Sequence, residues 1–212
     1  MKSEIMPIVG DASFRTFYRL NLNKNSKIIV SAQKEKYKNL VAYSAINQFL
    51  RQNKILTPKL YTHNYKKGLI VIEDFGDLSF YDVLLKQKNK LRTYKKLVDL
   101  LLKIQKIKIK PKSRIKNIIG KSYLINKYSV KYLHKESDLF FDWYLPLLLN
   151  KKKVFNIKKK AKKILSLLYK RLNFSNSHFV HRDYHVQNLM KVGKKIGVID
   201  SQDALVGNPA YD

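Results

Sequence analysis

The 212-residue sequence contains no cysteine, which excludes a disulfide-stapled fold and a cysteine zinc site. It also has no run approaching the roughly twenty uninterrupted apolar residues that a membrane-spanning helix requires, and the segment Met1–Gly10 lacks the pattern of a signal peptide. These absences predict a soluble protein of the reducing cytoplasm with no membrane partner. Hydrophobic residues make up 45% of the chain, which is enough for a buried core.

Acidic residues are scarce, because 15 Asp and Glu stand against 44 Lys and Arg and give a formal net charge of +29. So basic a chain can indicate a nucleic-acid partner. However, most of the basic residues are lysines scattered among Asn, Ile and Tyr. The densest cluster, Lys151–Lys163, fits the solvated face of a helix better than a binding site. We expect no specific nucleic-acid partner, and charge-driven, salt-sensitive adhesion to polyanions is the alternative.

The first third of the chain alternates short β-rich segments with turn residues, which predicts an antiparallel sheet. The predicted strands are Ile5–Val9, Phe14–Leu22, Ile28–Ala32, Lys59–His63 and Leu69–Glu73. Between the third and fourth strands, apolar residues recur at the helical period and predict a helix over Lys38–Arg51. We place this N-terminal β-rich lobe at residues 1–74.

Beyond Gly76 the apolar period changes to that of long helices. The predicted helices are Ser79–Gln87, Leu91–Ile107, Lys121–Leu149 and Val154–Leu172. Pro146 is expected to kink or interrupt the third of them. The sequence therefore predicts an α+β fold with two lobes, in which a mainly helical lobe at residues 75–212 follows the small antiparallel sheet.

The segment His181–Asp200 carries two carboxylates and an amide at a spacing typical of phosphoryl transfer. This reaction needs a carboxylate to receive the proton of the acceptor hydroxyl, and oxygen ligands to hold Mg²⁺ against the phosphates. Asp183 fits the first role, and Asn188 and Asp200 fit the second. Two short apolar runs around Gly193 predict a hairpin that returns Asp200 to the side of Asn188.

The two predicted lobes meet at a short link, where the sheet gives way to the helices. An extended link of this kind can offer backbone groups to a flat ring. We therefore expect the adenine of a nucleotide to bind at Glu73, Asp74 and Phe75.

Five segments along the chain carry a resemblance: Gly10–Arg15, Glu73–Asp77, Phe141–Leu145, His181–Asp183 and Val198–Ala204. They resemble segments of the aminoglycoside phosphotransferase and choline kinase superfamily, whose members are relatives of protein kinases. Within it, they are most similar to bacterial kinases that phosphorylate the anomeric hydroxyl of N-acetylmuramate and N-acetylglucosamine in cell-wall recycling. The resemblance implies a protein-kinase-like fold, ATP and Mg²⁺ as cofactors, and an amino sugar as the small-molecule substrate. It assigns to Asp183, Asn188 and Asp200 the same roles as the chemistry above.

The same resemblance implies how the phosphates are held. The turn at the start of the second predicted strand takes the place of a glycine-rich phosphate loop. In that arrangement the backbone amides of Ala12, Ser13 and Phe14 face the β- and γ-phosphates, and Arg15 lies nearby.

Three features depart from the family's pattern. The strand Ile28–Gln33 has no lysine to hold the α- and β-phosphates, and the helix Lys38–Arg51 has no glutamate to pair with one. Only a short segment separates Asp200 from Gly207, which leaves little room for a peptide-docking platform and favours a small-molecule acceptor. The chain stops at Asp212, where relatives continue into further helices, so truncation at the C-terminus is one interpretation. Asp212 itself resembles a carboxylate that braces the catalytic loop through backbone amides.

A sugar offers hydroxyls to a carboxylate and an apolar face to an aromatic ring. Asp142 and Trp143 are therefore the candidates for acceptor binding, and helix packing is the alternative role for this aromatic segment. Asp203 is a further candidate, because it could steady the metal site from beside Asp200. An aminoglycoside or amino-alcohol kinase and a nucleotide-binding pseudokinase scaffold remain as alternative functions, and the sequence leaves the oligomeric state open.

Overall fold

The structure is a computed structural model, and it describes residues 4–8, 15–22, 25–32, 37–172 and 177–212. Its N-terminal elements are β1 (Glu4–Ile8), β2 (Arg15–Leu22), β3 (Asn25–Ala32), α1 (Tyr37–Gln52), β4 (Leu60–Asn64) and β5 (Leu69–Glu73). The remaining helices are α2 (Phe80–Leu85), α3 (Leu91–Gln105), α4 (Val130–Leu139), α5 (Leu145–Leu148) and α6 (Lys151–Arg171). The remaining strands are β6 (Arg114–Lys116), β7 (Ser122–Leu124), β8 (His178–Val180), β9 (Leu189–Val192), β10 (Lys195–Val198) and β11 (Leu205–Gly207). No helix within these ranges combines the length and apolar character that crossing a bilayer demands.

The N-terminal strands form one antiparallel sheet in the order β1-β2-β3-β5-β4. Its β-branched residues alternate between the two faces, so that Val30 and Ile70 are buried while their strand neighbours are half-exposed. A left-handed Gly68 (φ 67°) closes the turn that leads into β5. The prediction of a five-stranded antiparallel sheet is confirmed.

Helix α1 packs between the sheet and the rest of the molecule. Leu40 and Tyr43 belong to the hydrophobic cluster under the sheet, whereas Ala45, Ile46 and Leu50 belong to the cluster of the helical part. The first set lies in the N-terminal half of the helix and the second set follows it, and Tyr43, Ile46 and Leu50 recur at intervals of three and four residues on one face. α1 therefore joins both cores along its length. The division of the chain after residue 74 stays a prediction, and α1 shows that packing crosses it.

The prediction of one long helix over Lys121–Leu149 is wrong. β7 occupies Ser122–Leu124 and pairs with β6, and α4 begins only at Val130. The intervening segment is held in place by tertiary contacts: Ile125 is fully buried, and the amide of Tyr128 donates to the carbonyl of Val206 at 2.9 Å. A local apolar pattern therefore suggested a helix where distant packing selects an extended chain.

The expected interruption near Pro146 is confirmed, although it begins earlier in the chain. α4 widens into a π-helical turn over Phe140–Tyr144, and Pro146 then lies in the first turn of α5. This is where the missing amide of proline costs no hydrogen bond. α6 begins directly afterwards, with the side chain of Asn150 accepting from the amide of Lys153.

Two small antiparallel pairs support the segment that carries the candidate catalytic residues. β9 and β10 form the predicted hairpin around Gly193 (φ 57°), and β8 pairs with β11. Phe179, Leu189 and Val198 are buried almost completely beneath them. This apolar platform fixes both ends of the catalytic segment.

Candidate active site

A cleft of about 560 Å³ lies between the N-terminal sheet and the segment that follows β8. The sheet contributes the apolar side chains of Ile8, Phe17, Ile28 and Ile72 to its wall. The opposite wall is polar and contains Asp183, His185, Gln187, Asn188 and Asp200. The structure thus brings the three residues predicted to act in phosphoryl transfer to one wall of one cleft.

The loop that carries Asp183 is braced by Asp212. The two carboxylate oxygens of Asp212 accept hydrogen bonds from the backbone amides of His181 and Arg182, both at 2.7 Å. Arg182 adopts a left-handed conformation (φ 77°), which is unfavourable for a side chain of this size. The amide contacts, together with a bond of 2.8 Å from Arg182 to Glu136, hold it there. The bracing role expected for Asp212 matches this geometry.

His181 is a structural residue beneath the loop, and it is fully buried. Its Nε2 lies 3.1 Å from the carbonyl of Ile199, and its Nδ1 lies 3.3 Å from the amide of Asp183. A carbonyl can only accept and an amide can only donate, so Nε2 carries the proton and Nδ1 accepts. Burial lowers the pKa of His181 to about 4, and the ring is neutral at pH 7.

The carboxylate of Asp183 lies at the cleft surface, half-buried. Its burial, followed by the negative charges of Asp200 and Asp203, raises its pKa above the usual range of an aspartate. A raised pKa makes a carboxylate a better proton acceptor. The backbone of the loop is also hydrogen-bonded, because the carbonyl of Asp183 accepts from the amide of His185 at 3.0 Å.

The amide of Asn188 has a fixed orientation. Its Nδ2 donates to the carbonyl of Asp183 at 3.0 Å and lies 3.1 Å from Nε2 of His185. Because the carbonyl of Asp183 can only accept, the nitrogen must face it, and Oδ1 is turned away from these contacts. The backbone carbonyl of Asn188 accepts from the amide of Ile199 at 3.0 Å, which ties it to the residue before Asp200.

Asp200 follows the hairpin in a left-handed conformation (φ 61°), which aspartate tolerates better than most residues. Its Oδ1 lies 2.6 Å from Nη2 of Arg15. A carboxylate and an amide oxygen suit Mg²⁺, which proteins hold with few ligands while phosphates and water complete its shell. The guanidinium of Arg15 occupies one oxygen of the Asp200 carboxylate. The oxygen donors of Asp200 and Asn188 match in type the ligands of the divalent cation that the sequence implies.

The link between the sheet and the helices is held by charged side chains. Arg19 donates to Asp74 at 2.6 Å and to Asp77 at 2.7 Å, and these contacts raise the pKa of Arg19 and lower that of Asp74. The carboxylate of Glu73 accepts from the amide of Lys59 at 3.1 Å. The predicted adenine site at Glu73, Asp74 and Phe75 therefore lies along the cleft wall.

The ring of Phe75 packs against β10. A Cβ at Gly197 would lie 2.6 Å from an edge carbon of this ring, so the close approach requires glycine. The contact joins the link to the hairpin that leads to Asp200. It fixes the distance between the two ends of the cleft.

The sequence reasoning missed two residues of α1. Asn47 accepts a hydrogen bond of 2.8 Å from the hydroxyl of Ser201, next to Asp200. Tyr43, one helical turn earlier, lines the cleft, and its burial raises its pKa to about 12. The available signal was a polar residue within the apolar face of a helix, since Asn47 follows the buried Ile46.

Arg19 was missed as well, although its position carries a signal. Residues at intervals of two point to the same face of a strand, so Arg19 shares the cleft face of β2 with Arg15. The two arginines stand at opposite ends of that face, with Phe17 between them. One is next to Asp200, and the other is next to the link.

Some predicted residues lie elsewhere. Ala12, Ser13 and Phe14 fall outside the described residues. Asp142 and Trp143 lie on the π-helical turn and are not part of the cleft wall: Asp142 forms an ion pair with Lys158, and Trp143 is 74% exposed. Asp203 is exposed and accepts from the side chain of Gln202 at 3.0 Å. Their roles in acceptor binding stay predictions.

A family model described as the phosphotransferase enzyme family matches residues 4–212. The chain belongs to this family. The match covers the sheet, the link, the loop of Asp183 and both predicted metal ligands.

Three curated relatives of this phosphotransferase-family chain are named N-acetylmuramate/N-acetylglucosamine kinase. The protein of Pseudomonas aeruginosa is 27% identical over 99% of this chain and 58% of its own length. That of Pseudomonas putida is 26% identical over 96% of this chain and 56% of its own length. That of Neisseria meningitidis is 22% identical over 96% of this chain and 58% of its own length. The chain thus spans less than three-fifths of the length of these relatives.

Solved structures of similar fold include an ADP-bound aminoglycoside phosphotransferase, with a TM-score of 0.65 and 15% identity, covering 99% of this chain and 69% of that one. A choline kinase from Streptococcus pneumoniae has a TM-score of 0.62 and 15% identity, covering 100% of this chain and 68% of that one. At this identity the likeness shows the fold alone. It confirms the predicted kinase-like α+β architecture.

Proposed function

We propose that this chain carries the catalytic residues of an ATP-dependent phosphotransferase that acts on a small hydroxylated acceptor. The observation that carries the proposal is the common wall formed by Asp183, Asn188 and Asp200 in a cleft of about 560 Å³. In this reading the sheet of residues 1–74 binds the nucleotide, with adenine at the link, and residues 75–212 supply the catalytic groups. The fixed amide of Asn188 supports it, because its nitrogen is held by the carbonyl of Asp183 and its oxygen is left free of that contact in the same cleft as Asp200.

Each residue has a defined task in this proposal. Asp183 orients the acceptor hydroxyl and receives its proton, which its raised pKa favours. Asn188 and Asp200 hold Mg²⁺, which when bound neutralises charge on the transferring phosphoryl group. Asp212 and His181 keep the loop in position, so that Asp183 needs no reorganisation when the acceptor arrives.

For the acceptor, we propose the anomeric hydroxyl of an amino sugar such as N-acetylmuramate or N-acetylglucosamine. The three relatives named N-acetylmuramate/N-acetylglucosamine kinase support this choice over an aminoglycoside or an amino alcohol. Asp142, Trp143 and Asp203 remain the candidates for sugar contacts. Because the chain spans only part of the length of those relatives, activity in the chain alone is itself part of the proposal.

The test is to incubate the chain with Mg-ATP and one acceptor at a time. The acceptors are N-acetylmuramate, N-acetylglucosamine and an aminoglycoside, and ³¹P NMR locates any new phosphate. We expect a sugar 1-phosphate, and none in the presence of a chelator or with the Asp183→Asn chain. Phosphate on the aminoglycoside alone would replace the sugar proposal. Tight Mg-ATP binding without product from any acceptor would identify a scaffold instead.

A further inference from the structure

Arg15, the first residue of β2, connects the sheet to the predicted metal site. Its side chain is only 7% exposed. Nη2 donates to Oδ1 of Asp200 at 2.6 Å, and Nη1 donates to Oε1 of Gln202 at 2.7 Å. Its guanidinium also lies 5.7 Å from the centre of the Phe17 ring. A buried cation with two such acceptors is held in a defined place at the phosphate end of the cleft.

Arg15 also stands at a place to which β3, within its described residues, brings no lysine. In β3, whose residues 25–32 are all described, the lysine is Lys27, and its ammonium lies 4.8 Å over the ring of Tyr61 rather than in the cleft. Ala32 is the direct cross-strand partner of Arg15. Paired residues point to the same face of a sheet, and the small Ala32 leaves that face to the guanidinium.

We propose that Arg15 is an exchangeable counterion for Asp200. In the empty cleft it neutralises this carboxylate, and when a nucleotide binds, its guanidinium turns to the phosphates and releases Asp200 to the metal. The inference rests on the proposed function and adds a regulatory consequence, namely that the protein binds its metal efficiently only together with a nucleotide.

The physical argument is one of charge. A divalent cation at Asp200 meets a guanidinium already in contact with that carboxylate, and the two positive charges repel each other in a poorly solvated place. Nucleotide phosphates remove this conflict, because a guanidinium fork fits phosphate oxygens as well as it fits a carboxylate. Both residues line the same cleft, so the exchange requires a side-chain rotation rather than a movement of the lobes.

The experiment measures binding, not turnover. Calorimetry would give the affinities of the wild type and Arg15→Met for Mn²⁺ alone, for ADP with Mg²⁺ and for adenosine. We expect Arg15→Met to bind Mn²⁺ at least about 3-fold more tightly and ADP about 10-fold more weakly, with adenosine unchanged, because one charge-assisted contact is lost. Changes of opposite sign are the signature, since loss of a merely structural contact weakens both ligands or neither.

Lys162→Met is the control, because it also removes one positive charge from an ion pair, with Asp138 at 2.9 Å, and Lys162 does not line the cleft. It should leave all three affinities unchanged. Arg15→Lys keeps the positive charge but loses the two-pronged guanidinium, and it serves as the second variant if Arg15→Met does not fold. It should bind ADP more weakly than the wild type and bind Mn²⁺ no more tightly than the wild type. Unchanged ADP binding in the Arg15 variants, or weaker Mn²⁺ binding, would overturn the inference and leave the kinase proposal standing. No ADP binding by the wild type would overturn both.

Discussion

The two polar regions of the C-terminal part are built in opposite ways. Around Asp183, the side chains of His181, Asp212 and Asn188 hold the loop through hydrogen bonds of 2.7–3.3 Å to its backbone groups. On the π-helical turn, by contrast, the predicted acceptor residue Asp142 is held by the long side chain of Lys158 at the surface. Trp143 beside it projects largely into solvent.

This difference shows which of the two regions has a fixed geometry. Backbone hydrogen bonds in a buried loop fix positions, because breaking one leaves an unpaired group in a poorly solvated place. An exposed ion pair competes with water and holds a side chain only loosely. The loop of Asp183 is therefore defined by this chain's own packing, whereas the predicted acceptor residues Asp142 and Trp143 are held only loosely. Four changes, from the largest expected effect to the smallest, test this contrast.

Asp183→Asn should lower kcat by about 10²–10⁴-fold, because an amide cannot accept the proton of the acceptor hydroxyl. The melting temperature should stay close to that of the wild type, since the loop is held through backbone groups. A coupled ADP-release assay and thermal unfolding check the two halves of this expectation. Near-normal turnover would show that the base lies elsewhere.

Asp212→Asn should destabilise the protein by about 2 kcal/mol, because one of the two loop amides loses its acceptor and faces an NH₂ group. Denaturant unfolding measures the change. The comparison variant Asp142→Asn removes a carboxylate of the same type from the exposed ion pair and should cost less than about 0.5 kcal/mol. Equal costs would remove the contrast between the two regions.

Acid should weaken the fold through His181. Its pKa is about 4 in the folded chain and about 6.5 when unfolded. Between these values the unfolded state binds more protons, so stability falls as the pH falls through that window, by about 2 kcal/mol from pH 7 to pH 5. His181→Gln should lose this pH-dependent component. The free energies of unfolding of the variant and the wild type, measured at pH 7 and at pH 5, would reveal the difference. Parallel losses in both proteins would assign the acid sensitivity to other groups.

Trp143→Ala should change the free energy of unfolding by less than about 0.5 kcal/mol, because the ring is largely exposed. If the ring stacks on the acceptor, KM for the sugar should rise several-fold while KM for ATP stays constant. Leu147→Ala is a suitable control, since it removes another exposed apolar side chain, at 79% exposure, from the neighbouring α5. A KM unchanged in both variants would remove Trp143 from the acceptor site.

Local patterns predicted most of the elements because they act over a few residues. The two apolar runs around Gly193 predicted the β9–β10 hairpin. The described ends of the sheet strands fall within one residue of the predicted ends, except that β3 begins at Asn25, three residues before the predicted start at Ile28. That Asp183, Asn188 and Asp200 lie together was also predictable, since phosphoryl transfer restricts which residue types serve and how they are spaced, and the three line one cleft. The same local reasoning failed at Ser122–Leu124, where pairing with β6 outweighs helical periodicity.

Local sequence patterns predict most strands and helices, and short motifs carry the family resemblance and the predicted roles of Asp183, Asn188 and Asp200. The contacts of Arg15 with Asp200 and of Asn47 with Ser201 depend on the tertiary structure. These pairs lie more than 150 residues apart, and no local rule predicts which distant charges and amides come into contact. These contacts form because the sheet packs on the helical part. Apolar residues of α1 belong to the cores of both parts, and their burial brings the polar groups at the junction into contact.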